Sequence, residues 1–338
     1  MSSQKTNKTK NFEQGCLFDA FYDFSVKGDE VRKLTNNNGK TFHYLIYILD
    51  CEEKNVLLKA LENPFFDKEF SDSIDFLVKT ASQLSPKIKP QIPNLIKCIQ
   101  GLTKTGNIQN NNCNLLIIKN LPKVFHLWRI ETLLGSLAGN IQHYPEEGSH
   151  IMAIRENPQD LCIYPSYQNL IDFSAHTDLS YVDNPPNIMA VHYINDDPRT
   201  SGCPTFCEAK TIAAILSNSA KRELKKNNFR FTPPQHYQGA ASKAIPILSY
   251  EDSYGWSIRF RRDRLEYVNK TQLAVNAVNE LLDSIHQSLF KLKIPEGSFI
   301  FINNQTLLHG REGYKKESVQ RARHLNRMYI TSEKTIDL

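Results

Sequence analysis

The sequence predicts an α+β protein with a mainly β core, a double-sheet jelly roll carrying a helical N-terminal region and helical insertions. Three observations predict it. From about residue 150 onward the chain is dominated by short apolar strands. Between about 16 and 110 apolar residues recur at helical steps of three and four. No GxGxxG, no phosphate-binding loop and no strand–helix–strand series is present, which removes a dinucleotide-binding sheet.

In chain order, residues 1–15 are polar and read as a disordered tail. Residues 16–110 read as a mostly helical region packed on the core, which occupies 111–338. Within that region FLVKTASQL (76–84) and NLIKCIQGL (94–102) have the helical period, and SPKIKPQIP (85–93), with three prolines, reads as their connection. NLLIIKNLP (114–122) is a buried strand closed by Pro122, and HLWRIETLLGSLAGN (126–140) is a helix stopped at Gly139-Asn140. The strands that follow are HIMAIRE (150–156), IMAVHYI (188–194), PTFCEA (204–209), WSIRFRR (256–262), KLKI (291–294) and SFIFIN (298–303). Two helices interrupt them, at 209–227 and 271–290. In the second, Val275, Val278, Leu282, Ile285 and Leu289 form one apolar stripe.

Bulk properties exclude several functions. The chain has 338 residues, ample for a real core, with 40% apolar and 23% charged residues. Its net charge of +5 and pI of 8.7 come with no basic stripe interleaved with aromatics, so no nucleic-acid partner is expected. No apolar run suits a membrane span or a secretory signal, and seven cysteines without a CxxC pair fit free thiols in a reducing compartment. The expectation is a cytoplasmic protein acting on a small molecule. Nothing in the sequence sets its oligomeric state.

The chemistry lies in three separated segments. In Phe173-Ser-Ala-His176-Thr-Asp178 the histidine and aspartate are two apart, so on an extended chain they share a side and converge on one ion. That pattern alone also fits a surface pair. In Asn303-Asn304-Gln305-Thr-Leu307-Leu308-His309-Gly310-Arg311 a histidine follows two leucines, at the mouth of a buried space. Together these supply two imidazoles and one carboxylate, a facial set that suits iron(II) with positions open for a chelating co-substrate and dioxygen. In Arg321-Ala-Arg323-His-Leu-Asn-Arg327 a guanidinium can grip a carboxylate bidentately, as the distal end of 2-oxoglutarate requires. A charged surface edge is the plain alternative for that run.

These segments resemble the TauD/TfdA-like superfamily of iron(II)/2-oxoglutarate dioxygenases over roughly residues 113–330. The step from His309 to Arg323, with Arg327 four further on, resembles the clavaminate synthase-like branch, which includes hydroxylases of free amino acids. The resemblance implies a distorted double-stranded β-helix, iron(II) held by His176, Asp178 and His309, and 2-oxoglutarate paired with Arg323. It also places Thr205 on the same co-substrate carboxylate. The chain departs from the pattern in having Ser201-Gly202 where two glycines are usual, and Asp178 where that branch often has glutamate. Halogenases of the superfamily carry a small residue at the carboxylate position, so Asp178 points away from halogenation.

The implied reaction consumes O2 and 2-oxoglutarate, releases succinate and CO2, and hydroxylates a C–H bond of a small polar substrate such as a free amino acid. Desaturation and cyclisation share its start. Candidate substrate contacts are Arg327, Gln159 in the polar loop 157–172 with Tyr164 and Tyr167, and Arg261 in WSIRFRRDR, where Arg259 and Arg261 alternate with Ile258 and Phe260. Two other readings use the same residues: a metal-dependent hydrolase, and a non-catalytic jelly-roll binding protein.

Overall fold

A computed structural model describes residues 28–63, 66, 73–102, 113–124, 126–143, 148–155, 172–195, 202–234, 239–251, 255–313 and 323–332. Its elements in order are β1 (Gly28–Thr35), β2 (Thr41–Ile48), α1 (Cys51–Leu61), α2 (Ile74–Ile88), α3 (Pro93–Gly101), β3 (Leu115–Lys119), α4 (Leu127–Ala138), β4 (Asn140–Ile141), β5 (Met152–Arg155), β6 (Phe173–His176), β7 (Ile188–Asn195) and β8 (Pro204–Glu208). There follow α5 (Ala209–Ile215), α6 (Asn218–Leu224), β9 (Phe229–Phe231), β10 (Leu248–Glu251), β11 (Gly255–Ile258), β12 (Leu265–Tyr267), α7 (Gln272–Ser288), β13 (Phe290–Lys291), β14 (Phe299–Asn303), β15 (Leu307–Arg311) and β16 (His324–Thr331). The tail 1–15 and the loop carrying Gln159, Tyr164 and Tyr167 lie outside the described residues.

The strands form an eight-stranded sheet, in the order β1-β2-β3-β14-β7-β16-β4 with β5 also on β16, and a four-stranded sheet, β13-β8-β15-β6. Central strands of the large sheet are covered on both faces, so their sequences are continuously apolar rather than alternating. In β3 and β14, Leu116, Ile118, Phe299 and Phe301 pack with the helical layer α1–α4. Their alternates Leu115, Ile117, Ile300 and Ile302 pack with Phe206 and Leu307 of the small sheet. Ile117 and Ile300 are register partners, and burying each contributes roughly 1.5–3 kcal/mol. The outer side of the small sheet is closed by α5–α7 and the β9–β12 ribbons through Cys207, Leu308, Phe229 and Val278.

Three sequence expectations are corrected. Residues 28–48 are a hairpin, not helix: β1 and β2 pair from Gly28↔Ile48 to Thr35↔Thr41. β2 also pairs in parallel with β3, so the large sheet draws strands from both sides of residue 110. Phe42, Tyr44 and Ile46 enter the space between the sheets while Leu45 and Tyr47 face the helices, which makes β2 apolar on both sides and hides the two-residue period. The helix expected over 209–227 is two helices. Leu216 adopts an extended ψ of 139°, and Ser217 then caps α6 by accepting from Ala220 N. In α7 the buried stripe is Ala274, Ala277, Val278, Leu281 and Ile285, with Val275 and Leu282 at its margin, because small residues let the helix sit close.

The strands expected over 114–122, 150–156, 188–194, 204–209 and 298–303 are present, whereas WSIRFRR is strand only in Gly255–Ile258 and KLKI only in Phe290–Lys291. Helix α2 runs through Pro86 to Ile88, so the first residues of the expected connection 85–93 are helical and the proline forgoes its own hydrogen bond to residue 82. Cys51, Cys98, Cys113 and Cys207 are free, whereas Cys203 is disulfide-bonded, contrary to the expectation of thiols throughout. No helix among the described residues is long and apolar enough to cross a membrane.

Candidate active site

Strand β15 runs antiparallel between β6 and β8, with His309 the register partner of His176 on one side and of Phe206 on the other. Pairing puts the two imidazoles side by side, their ring centroids 4.5 Å apart and their planes tilted by 51°. Gly310 makes this approach possible. A Cβ there would lie 2.5 Å from the Phe173 carbonyl oxygen and 3.0 Å from Ala175 N, both backbone atoms of β6.

The chain leaves β6 directly after His176, so Asp178 arrives by a turn rather than along an extended strand. Thr177 N donates to Phe260 O (2.8 Å), and Phe260 N donates back to Thr177 Oγ1 (3.0 Å). Asn304 grips the next residue at both ends. Its Oδ1 accepts from Asp178 N at 2.8 Å, and its Nδ2 donates to Asp178 O and to Pro186 O, each at 3.1 Å. Leu179 then adopts φ +53°, a left-handed conformation that a branched apolar residue holds only where its surroundings fix it.

One ligand atom from each of His176, Asp178 and His309 lies within 4.8 Å of the other two. His176 Nε2 is 3.2 Å from Asp178 Oδ1, and His309 Nε2 is 3.6 Å from Asp178 Oδ2. His176 Nδ1 donates to Ser174 O at 2.8 Å, which fixes the tautomer and leaves Nε2 turned inward. That Nε2 is buried and has no hydrogen-bond partner among the described residues. Burial, with the neighbouring His309, pushes the His176 pKa down to about 4, so the ring is neutral and able to ligate at neutral pH. Burial would raise the Asp178 carboxyl, but Arg327 and the two histidines hold it well below the usual carboxylate range. The donor set therefore fits a divalent metal ion: two imidazoles and a carboxylate, converged in one place.

The structure sorts the remaining candidates. Arg327, on β16, reaches the triad itself and donates from Nη1 to Asp178 Oδ2 at 3.2 Å. Arg323, at the start of β16, lines the cavity between the sheets together with His309, Arg311 and Arg327. Arg261 is buried, with its guanidinium 5.6 Å from the Phe173 ring centroid and its Nε 3.0 Å from Asp263 Oδ1. Burial works against its charge, and Asp263 raises its pKa again. Arg259 is spent on the Ser180 and Val182 carbonyls, bracing the turn after Asp178.

Thr205 does not join this group. Its Cα pairs with Gly310, one residue out of phase with the His309–Phe206 pair. Side chains alternate along a strand, so Pro204 and Phe206 line the cavity while Thr205 lies on the other face of β8. Sequence reasoning missed Asn304, read only as part of a polar turn, and missed Asp263 and Arg311. The signal for Arg311 was available: it lies two residues beyond His309 on the same strand, hence on the same face.

A family model for the taurine catabolism dioxygenase TauD, TfdA family matches residues 116–329. Among solved structures, the chain is similar to asparagine oxygenase in complex with Fe(II), 2S,3S-3-hydroxyasparagine and succinate. The TM-score is 0.68 at 14% identity, covering 85% of this chain and 93% of that one. It is also similar to the non-heme iron oxygenase OrfP in complex with Fe and alpha-ketoglutaric acid, with a TM-score of 0.67 at 13% identity, covering 85% and 94%. At such identities the likeness is one of fold. No curated protein matches the chain in sequence.

Proposed function

Because this chain belongs to the TauD/TfdA dioxygenase family, we propose that it is an iron(II)- and 2-oxoglutarate-dependent hydroxylase of a free amino acid or close derivative, built on a distorted double-stranded β-helix. The observation that carries the reading is the meeting of His176, Asp178 and His309, the last of which lines a cavity between the sheets together with Arg323. Iron(II) with 2-oxoglutarate and dioxygen supplies the oxidising power in this family, with release of succinate and CO2.

The protein's own residues hold and shelter that chemistry. His176, Asp178 and His309 would hold the metal ion through two imidazoles and one carboxylate, and the ion would supply the site at which co-substrate and dioxygen meet. Ser174 O and Asn304 keep two of the three ligands oriented. Arg327 balances the buried negative charge of Asp178. Arg323 is the partner for the distal carboxylate of the keto acid, a planar fork matched to two oxygens. Met189, Val191, Ile300 and Leu325 give the cavity apolar walls.

The substrate class rests on the charged groups beside His176. Arg261 and Asp263 form an ion pair beside Phe173 and act electrostatically on His176. A paired cation and anion suit a zwitterion, whose carboxylate and ammonium can replace the two partners. Arg327 is a second cation within reach of a substrate carboxylate. Support comes from the similar solved structures, in which asparagine oxygenase holds a hydroxyasparagine and OrfP a (3S)-hydroxy-L-Arg.

The test is a screen of free amino acids for stimulated succinate formation by protein loaded anaerobically with Fe(II), followed by mass spectrometry. A substrate-dependent gain of one oxygen atom, requiring both O2 and 2-oxoglutarate, is expected. Hydrolysis of any substrate without succinate release would replace this reading with a metal-dependent hydrolase.

A further inference from the structure

We infer that Arg311, rather than Thr205, supplies the second contact to the distal carboxylate of the keto-acid co-substrate. This rests on the 2-oxoglutarate reading above and refines it. The register of β8 turns Thr205 away from the cavity and puts Pro204, which has no donor, at the cavity-facing position. The register partner of Pro204 across the sheet is Arg311. Arg311 is 4% exposed and lines the same cavity as His309 and Arg323. It lies one strand repeat, about 7 Å, beyond His309 on the same face. A keto acid chelated at one end and carrying its second carboxylate across two methylenes runs on that scale. Nη1 of Arg311 donates to Glu312 O at 2.7 Å, which anchors the guanidinium head at the cavity wall.

Two cations around one carboxylate make a prediction that a bracing role for Arg311 does not. Its removal weakens only ligands that carry the distal carboxylate. The experiment compares 2-oxoglutarate with 2-oxopentanoate, which lacks that group, by anaerobic titration of the Fe(II)-loaded protein. Arg311→Gln is expected to lose about 10- to 100-fold in affinity for 2-oxoglutarate and little for 2-oxopentanoate, the scale of one charge-assisted contact. Arg311→Lys keeps the charge without the fork, and is expected to fall between wild type and Arg311→Gln. Arg323→Gln serves as the reference for a full loss of selectivity.

Mn(II) affinity and thermal unfolding establish that each variant is folded and metal-competent, and Arg311→Lys decides the question should Arg311→Gln not fold. An unchanged preference for 2-oxoglutarate in the Arg311 variants, with the preference collapsed in Arg323→Gln, overturns the inference and leaves the co-substrate reading standing. A wild-type protein that binds neither keto acid overturns both.

Discussion

Asn304 is not one of the three candidate ligands, yet a single substitution there should loosen the whole triad. Its amide is 2% exposed and makes three hydrogen bonds, two of them to the backbone of Asp178. Asn304→Ala removes all three and leaves buried backbone groups without that partner. At roughly 1 kcal/mol net for each bond, the loss is about 3 kcal/mol. For a chain of this length, with an unfolding entropy of about 2 cal/mol/K per residue, that lowers Tm by about 4 °C. The effect on the metal is larger in proportion. Partners that orient a ligand typically hold about 10- to 100-fold of metal affinity, and Asp178 sits in a turn that nothing else grips at both ends. Calorimetric titration of metal-free protein with Mn(II), beside thermal unfolding, reads both quantities. Asn304→Asp keeps an acceptor for Asp178 N but loses both donations and sets a carboxylate against two carbonyls, so it should fare no better than alanine. Wild-type metal affinity in Asn304→Ala would refute the idea that this side chain positions Asp178.

Other outcomes follow from the same geometry. Gly310→Ala forces a Cβ into the Phe173 carbonyl of β6, a backbone atom that cannot swing away. It should cost about 1–3 kcal/mol and separate the two histidine strands, read as a loss of both Tm and Mn(II) affinity. Arg327→Leu leaves the buried Asp178 carboxylate without its guanidinium and should cost the metal-free protein about 3–5 kcal/mol at neutral pH, measured by chemical unfolding. Acid should destabilise the metal-free protein in two stages. His176 has its pKa lowered from 6.5 to about 4, so its contribution is full above 6.5 and is lost as pH falls toward 4. Asp178, held below 3.8, contributes above that value and loses its contribution only at still lower pH. Urea midpoints measured from pH 7 to 3 should show a smaller first decline in His176→Gln than in wild type, the remainder coming from His324, whose pKa burial also lowers.

The sequence exposed the meeting of His176, Asp178 and His309 more readily than the architecture around it. That meeting was legible because a shared metal site would need particular residue types, and those types stand beside strand-like apolar runs. The hairpin over 28–48 was not legible, because a strand covered on both faces loses the alternation that identifies it. Thr205 stands one residue from the cavity-facing positions of β8, and in a strand one residue is a change of face. Only the register with β15 could reveal that. Glu131 is the opposite case. It reads as an ordinary polar residue in an amphipathic helix, yet it is fully buried and hydrogen-bonded to His192 (2.6 Å) and Asn326 (2.9 Å). Those partners stand 61 and 195 residues away, so no local pattern announces them.

The central claim is that positions 176, 178 and 309 hold one ferrous ion on which the keto acid assembles. Anaerobic Fe(II) titration of wild type, His176→Ala and His309→Ala, each followed by addition of 2-oxoglutarate and optical detection of the ternary complex, tests it directly. Wild type should bind one equivalent of iron and develop the new absorption, and neither variant should do so. Retention of stoichiometric iron and of that absorption in either alanine variant would contradict the account.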